Sequence, residues 1–472
     1  MKLTYNVNDR PKFGQLLLFG LQQLLAILAA TIAVPSIIGN GMSQSAALFG
    51  AGVGTVVYLL FTKFRSPVFL GSSFAFIGSM FAAFAGAASA QAGHAGLILG
   101  ALFAGLVYVI IAIVIKLAGV RWINKLMPAV VIGPTVAIIG LSLAGNAVGD
   151  LTKGKVMKDV VTQVVKDGAI VDDVSQVSVA SPYVALVCGL VTLFVVILCS
   201  VYGKKMAKLI PFIIGICAGY AAAAIFTVIG IASGNDALKI IDFSGFRNMD
   251  WFAIPDFTFF EAAKGLKAID GHYIATVAVA YVPVAFVVFA EHIADHKNLS
   301  TIIDKDLLED PGLHRTLLGD GVGSIAGSIF GGCPNTTYGE SVGCVAITGN
   351  ASVVTILTTA AMAIIISFFG PFVTFLASIP NCVMGGVCIT LYGFIAVSGL
   401  KMIHEVDLGD NRNLFVVAVI LICGIGGLTV SFGKVTLTSI ACALILGILT
   451  NVMVSAGKNR EASDSSAPSD KE

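Results

Sequence analysis

Two carboxylates stand in segments that offer them no counter-charge. Glu340 lies between the glycines of CPNTTYGESVG (333–343), and Glu291 closes the apolar run VAVAYVPVAFVVFAEH (277–292). Neither segment holds a Lys or Arg. A carboxylate at membrane depth takes up a proton, pairs with a cation, or accepts hydrogen bonds from a ligand. The plain structural reading is a buried Glu kept neutral by neighbouring hydroxyls. The functional reading is a pair of acceptors for ligand N–H groups, at least one of them changing protonation during a transport cycle.

The surrounding residues bear on what the ligand would be. Pro334 disfavours helical angles at Cys333, and Asn335, Thr336 and Thr337 prefer extended or capping conformations, so a short strand is expected there. Helix begins only near Tyr338, and its first N–H groups then have no partner within the segment. GSSFAFIG (71–78) repeats the pattern, with Ser72, Ser73 and Phe74 matching Thr336, Thr337 and Tyr338. Ser73 and Thr337 thus support two helix starts whose bare donors and positive dipole ends point at one ligand. A small planar ligand bearing both N–H and C=O groups, on an aromatic platform from Phe74 or Tyr338, is a nucleobase.

These segments must be held by a membrane protein. The chain has 472 residues, 57% hydrophobic and 12% charged, with mean hydropathy +0.94, far from a soluble domain. A net charge of +1 points to no nucleic-acid partner. The nine cysteines are scattered, without CxxC or a neighbouring His pair, and read as small buried hydrophobes, so no metal and no cofactor are expected. The first apolar run lacks a cleavage site and reads as a retained span.

Crossing the hydrocarbon takes about 20 apolar residues. Such runs lie near 15–38, 46–62, 95–117, 127–148, 182–202, 209–232, 272–293, 351–370, 383–403, 413–430 and 436–454. With the irregular stretches 67–90, 317–332 and 335–348 they make fourteen. Lys and Arg in the loops, among them Lys2, Arg10, Lys12, Lys63, Arg65, Lys116, Arg121, Lys125, Lys204, Lys205, Lys208, Lys401 and Arg412, put both termini in the cytoplasm. Nearly all the rest fall in the long loops 149–181 and 233–271, with Lys434 in a short one.

A second echo joins PAVVIGPTVAIIG (128–140) to PNCVMGGVCITLYG (380–393). Both echoes fall seven spans apart, and an odd-numbered repeat must enter from the opposite side. The fold class expected is therefore an all-α polytopic protein of 14 spans in two inverted seven-span repeats, with short extended strands in spans 3 and 10.

GSSFAFIG, FAEHIADH, DPGLHRTLLGDG, PNTTYGESVGCVAIT and MGGVCITLYG, in that order, resemble the nucleobase/ascorbate transporter family over about residues 10–455, and NTTYGE is similar to its uracil permease branch. The resemblance implies a uracil:proton symporter of the cytoplasmic membrane working by alternating access, often as a homodimer, with the proton as coupling ion. It implies a core domain of 15–117 and 272–370 and a gate domain of 118–232 and 371–454. Around these lie a cytoplasmic N-terminus (1–14), an extracellular loop (233–271) and a disordered tail (455–472). By position the substrate glutamates fall on Glu291 and Glu340, the backbone contacts on Phe74 and the Tyr338/Gly339 turn, and the gate tyrosine on Tyr392.

Two positions depart from the family pattern. Asp295 stands where uracil permeases can carry a histidine, and Gln22 and Gln23 replace a Gln-His pair. Asp295, one turn beyond Glu291, would aid proton capture by like-charge repulsion, so Glu291, Asp295 and Glu340 form the expected proton-coupling set. His94 and His272 read as solvated span-edge residues, and Asp320 as a buried polar partner or a helix end. The alternatives are a purine (xanthine) symporter of the same family and an anion transporter of similar architecture. Anion recognition favours Arg or Lys near the helix breaks, where this chain has acids. A third alternative is an intramembrane enzyme, yet no HExxH appears in any span.

Overall fold

The computed structural model describes residues 3–119, 128–166, 169–204, 206–247, 249–432 and 435–464. Lys2, Arg121, Lys125, Lys205 and Lys434, used above to orient the chain, lie outside the described residues, as do residues 465–472.

The first half of the chain forms α1 (Phe13–Ile38), α2 (Gln44–Phe61), β1 (Leu70–Ser72), α3 (Ile77–Ala85), α4 (Ala90–Ala118), α5 (Ala129–Ser142) and α6 (Ala144–Asp150). A hairpin of β2 (Met157–Lys166) and β3 (Ala169–Ser178) follows, then α7 (Pro182–Tyr202), α8 (Pro211–Ser233) and the short α9 (Thr258–Gly265). The second half forms α10 (Gly271–Ile303), α11 (Leu313–Gly331), β4 (Asn335–Thr337), α12 (Gly339–Thr348), α13 (Val353–Ile366), α14 (Gly370–Ser378), α15 (Asn381–His404), α16 (Asn411–Ile425), the hairpin β5 (Val430–Phe432) and β6 (Val435–Leu437), and α17 (Ser439–Asp464).

Eight of the described helices are long and apolar enough to cross a bilayer. Helix starts follow local chemistry: Ser43 and Ser89 cap α2 and α4 by accepting from the N–H two residues into the helix. Asp270 caps α10 by accepting from Tyr273 N at 2.7 Å.

Helices α1–α4 pack against α10–α13, while α5, α7 and α8 pack against α15, and α16 against α5 and α17. A close seam joins α2 to α11, where Gly50 and Gly54 face Gly323 and Gly327. A methyl group on Gly50 would land on the Gly327 carbonyl oxygen. Small residues let two membrane helices approach this closely. That approach seats β4: Asn335 Nδ2 donates to Gly50 O at 3.2 Å, and Asn335 N donates to Ser324 Oγ at 2.9 Å.

Several expectations need correction. The chain is not purely α-helical, because the 149–181 loop carries the β2–β3 hairpin, with full register from Met157 opposite Ser178 to Lys166 opposite Ala169. Its valine-rich composition favours extended backbone. Helix α10 does not stop near 293 but runs to Ile303, which puts Glu291 and Asp295 inside a continuous helix. Helix α17 continues past 454 to Asp464, into the segment read as a disordered tail, because Ala, Lys, Arg and Glu are good helix formers. His94 is not solvated: it is 5% exposed, with Nε2 3.1 Å from Asn40 O. His272 is exposed, as read.

Candidate functional site

The two irregular segments meet. Strands β1 and β4 pair antiparallel, Leu70 opposite Thr337, Gly71 opposite Thr336 and Ser72 opposite Asn335. The pairing is extended by Ser73 N donating to Pro334 O at 2.9 Å and Tyr338 N to Phe69 O at 3.3 Å. The Tyr338 ring lies over Gly71, where a side chain would collide with it, and its hydroxyl donates to Ser72 O at 2.9 Å. Glycine is required here by that close approach.

Helical backbone resumes directly after each strand. A single 3-10 turn at Phe74–Phe76 leads into α3, and α12 starts at Gly339. Neither Ser73 nor Tyr338, the residues at the two starts, supplies a capping side-chain hydrogen bond. Strand residues cannot provide the i−4 carbonyls that a helix's first N–H groups need. The helix starts therefore carry donor character toward whatever lies beyond them.

Beyond them lies a cavity of about 370 Å³. Ser73, Phe74, Thr336, Thr337, Tyr338, Gly339 and Glu340 supply one wall, and Glu291, Ala294 and Asp295 of α10 the second. The opposite wall is apolar: Ile132 and Val136 of α5, Phe212 of α8, and Leu391, Phe394 and Ile395 of α15, with Ser398 and Met402 further along. Glu291, Asp295 and Glu340 are half-buried, each presenting its carboxylate to this space. Asp295 Oδ2 accepts from Thr337 Oγ1 at 2.8 Å, tying helix to strand.

Every site residue expected from the sequence except Tyr392 lines this cavity. Tyr392 is 2% exposed and sits edge-on to Phe74, ring centroids 5.9 Å apart, so it contacts a cavity-lining ring without lining the cavity itself. Gln23 is buried and donates to the Ser341 hydroxyl, next to Glu340, while Phe69 N donates to the same oxygen at 3.1 Å. Asp320 is a buried polar partner and not a helix end, lying inside α11 against His292. Its partner was not legible, because sequence spacing gives no sign that α11 and α10 face one another there.

What the cavity can do follows from its walls. It offers uncapped helix N-termini on one side, three carboxylates that accept hydrogen bonds or carry protons, and the Phe74 ring. The chain matches the permease family over residues 14–432. It belongs to that family. It is thus a multi-pass membrane transport protein and not an enzyme. It is 38% identical to a uracil permease of Bacillus caldolyticus over 96% of this chain and 95% of the relative. With a uracil permease of Bacillus subtilis it shares 36% identity over 98% of each chain. Its fold is similar to the transmembrane domain of a cyanobacterial bicarbonate transporter, with a TM-score of 0.60 at 17% identity over 95% of this chain and 100% of that domain.

Proposed function

We propose that the protein is a uracil:proton symporter that imports uracil across the cytoplasmic membrane by alternating access. The observation that carries this reading is the convergence of two uncapped helix starts and the carboxylates of Glu291 and Glu340 on one cavity. Uracil presents two ring N–H donors and two carbonyl acceptors in one plane. The carboxylates accept from the N–H groups, and the main-chain donors at Phe74 and at the Tyr338/Gly339 turn serve the carbonyls. Phe74 covers one ring face, with Tyr392 edge-on against it. The names of the two Bacillus relatives agree with this substrate.

Proton coupling rests on the same acids. With uracil bound, Glu291 and Glu340 both accept from the ring N–H groups, Asp295, held by Thr337, takes the coupling position, and at least one of the three acids changes protonation during the cycle. The proton is the only coupling ion and no cofactor takes part. Release of base and proton together restores the empty, mutually repelling set of carboxylates.

In this reading the 14 spans form two inverted repeats, with the paired strands in spans 3 and 10. A core of 15–117 and 272–370 moves against a gate of 118–232 and 371–454, and the protein is a homodimer with both termini in the cytoplasm. The cavity spreads from the strands toward Ile132 and Phe212, near the starts of α5 and α8, and toward Met402, near the end of α15. Those helix ends carry or adjoin the basic residues Lys116, Lys204, Lys208 and Lys401, which supports reading this conformation as inward-facing.

Labelled uracil uptake in cells lacking their own permease tests the reading, with xanthine and thymine as competitors at two external pH values. Competition by unlabelled uracil and collapse of accumulation by a protonophore are the expected results. Competition by xanthine alone would make it a purine carrier, and accumulation indifferent to a protonophore would end the proton coupling.

A further inference from the structure

Helix α10 carries two ionisable pairs, each spaced by one turn. Glu291 and Asp295 line the cavity. His292 and His296 follow each by one residue, about 100° further round the helix, and both are fully buried. The mechanism above uses the acids and leaves the histidines without a task.

Their contacts are specific. His292 Nδ1 lies 2.7 Å from Asp320 Oδ2 and its Nε2 lies 3.0 Å from Thr316 Oγ1, both on α11. His296 Nδ1 donates to the His292 carbonyl at 2.8 Å, which leaves Nε2 as the acceptor for the Tyr58 hydroxyl of α2 at 2.7 Å. The Tyr58 oxygen is in turn 2.7 Å from Ser66 Oγ. The two imidazoles stack with centroids 4.1 Å apart. His292, His296, Asp320 and Tyr58 do not line the cavity, so they touch no substrate there.

Asp320 connects this cluster to the binding wall. Its Oδ2 also accepts from Thr336 Oγ1 at 3.5 Å, and Thr336 is the residue before Thr337 in β4. Among the described residues Oδ1 has no partner, so the acid depends on these two donors. One oxygen is thus shared by the helix that carries Glu291 and Asp295 and by the strand that leads into Tyr338 and Gly339. A buried acceptor stripped of its donor is costly, and the structure shifts to avoid it.

We infer that His292 and Asp320 are positioning residues for the binding site. Together with the His296–Tyr58 contact they fix the rotation of α10, so that its acids face the cavity, and they lock β4 to the same frame. The two walls that grip the ligand then hold a constant separation. Because the pair acts through geometry, the hydrogen bond is needed and a titrating proton at the pair is not. The titratable groups nearest the cluster are Tyr58 on α2, Tyr108 on α4, and Glu291 and Asp295 on α10 itself.

The test has a ligand-free arm and a transport arm. In purified protein without ligand, amide hydrogen exchange over residues 335–343 is expected to quicken in His292→Ala, and exchange unchanged from wild type would overturn the inference. In uptake, which rests on the uracil reading, His292→Ala and Asp320→Ala should raise KM about 10- to 100-fold, as leaving a buried hydrogen-bonding group unsatisfied implies. Asp320→Asn keeps an acceptor oxygen in place and should restore near wild-type KM with an unaltered pH profile. An Asn variant as impaired as Ala, or one with a displaced pH profile, would overturn the positioning role. If His292→Ala does not yield monodisperse protein, His292→Gln, whose amide can donate to Asp320, must fold and transport, and its failure counts against the inference. Wild-type protein that ignores uracil would sink the substrate reading alone, since the exchange arm still decides this one.

Discussion

The Thr337 hydroxyl donates to the Asp295 carboxylate at 2.8 Å, joining β4 to α10 at the edge of the cavity. Through this bond the position that departs from the family pattern is built into the binding wall. Its carboxylate is one turn from Glu291 on the same helix. Asp295 therefore has both a structural partner and an electrostatic one, and substitution separates the two.

Asp295→Asn retains an acceptor for Thr337 and removes the charge that repels Glu291. Uracil affinity should hold within about threefold, consistent with a retained neutral hydrogen bond. The pH dependence of uptake should change, because the like-charge contribution to proton capture is gone. Initial rates measured between mildly acidic and mildly alkaline pH decide it, and an unchanged profile removes Asp295 from the coupling scheme.

Glu340→Gln and Glu291→Gln each replace an acceptor that can carry charge by an amide. Hydrogen bonds to charged groups are worth about 1.5–3 kcal/mol, so uracil affinity should fall about 10- to 100-fold in each. Equilibrium binding of labelled uracil to purified protein measures this. Wild-type affinity in either variant would place that carboxylate outside the ligand shell.

The α2–α11 seam should tolerate no added volume. Gly50→Val forces a side chain against the Gly327 backbone, and overpacking of this kind costs about 1–3 kcal/mol. Asn335 donates to the Gly50 carbonyl, so β4 is expected to shift as well. A lower melting temperature with weakened uracil binding is the expected pair of results, and a fully stable variant would contradict the packing described.

A pH effect follows from the loop between α10 and α11. Lys305 and Arg65 both pair with the exposed carboxylate of Asp310, and their hydrogen bonds hold it below the usual aspartate range. A depressed acid contributes its stabilisation above the unfolded-state value of about 3.9 and loses it as pH falls through the folded value. The clasp between the 62–66 and 304–312 loops should thus be intact at neutral pH and loosen only in acid. Asp310→Asn should reproduce the acid behaviour at pH 7, read as faster amide exchange in both loops, and high salt should weaken the wild-type clasp.

The residues determined several things by local chemistry. Composition fixed the membrane class, since so few charges leave no other solvent. Pro334 and Gly339 set the break before Glu340, because proline restricts the residue before it and β-branched threonines extend the chain. The helix starts at Ser43, Ser89 and Asp270 follow from capping within a single turn. The acids at 291, 295 and 340 stood out because charge in an apolar run is costly wherever the run ends up.

Tertiary structure decided the rest. That β1 pairs with β4, that His94 is buried beneath Asn40, that Gln23 reaches Ser341, and that Asp320 serves His292 and Thr336 together all depend on contacts between segments far apart in the chain. Glu291 sits inside a continuous helix because α10 finds packing partners through Ile303, where hydropathy alone implied an end near 293. Capping, helix propensity and burial cost act over one or two turns and can be read in order along a chain. Which faces meet is set by close packing, and at the α2–α11 seam a single methyl group would have changed it.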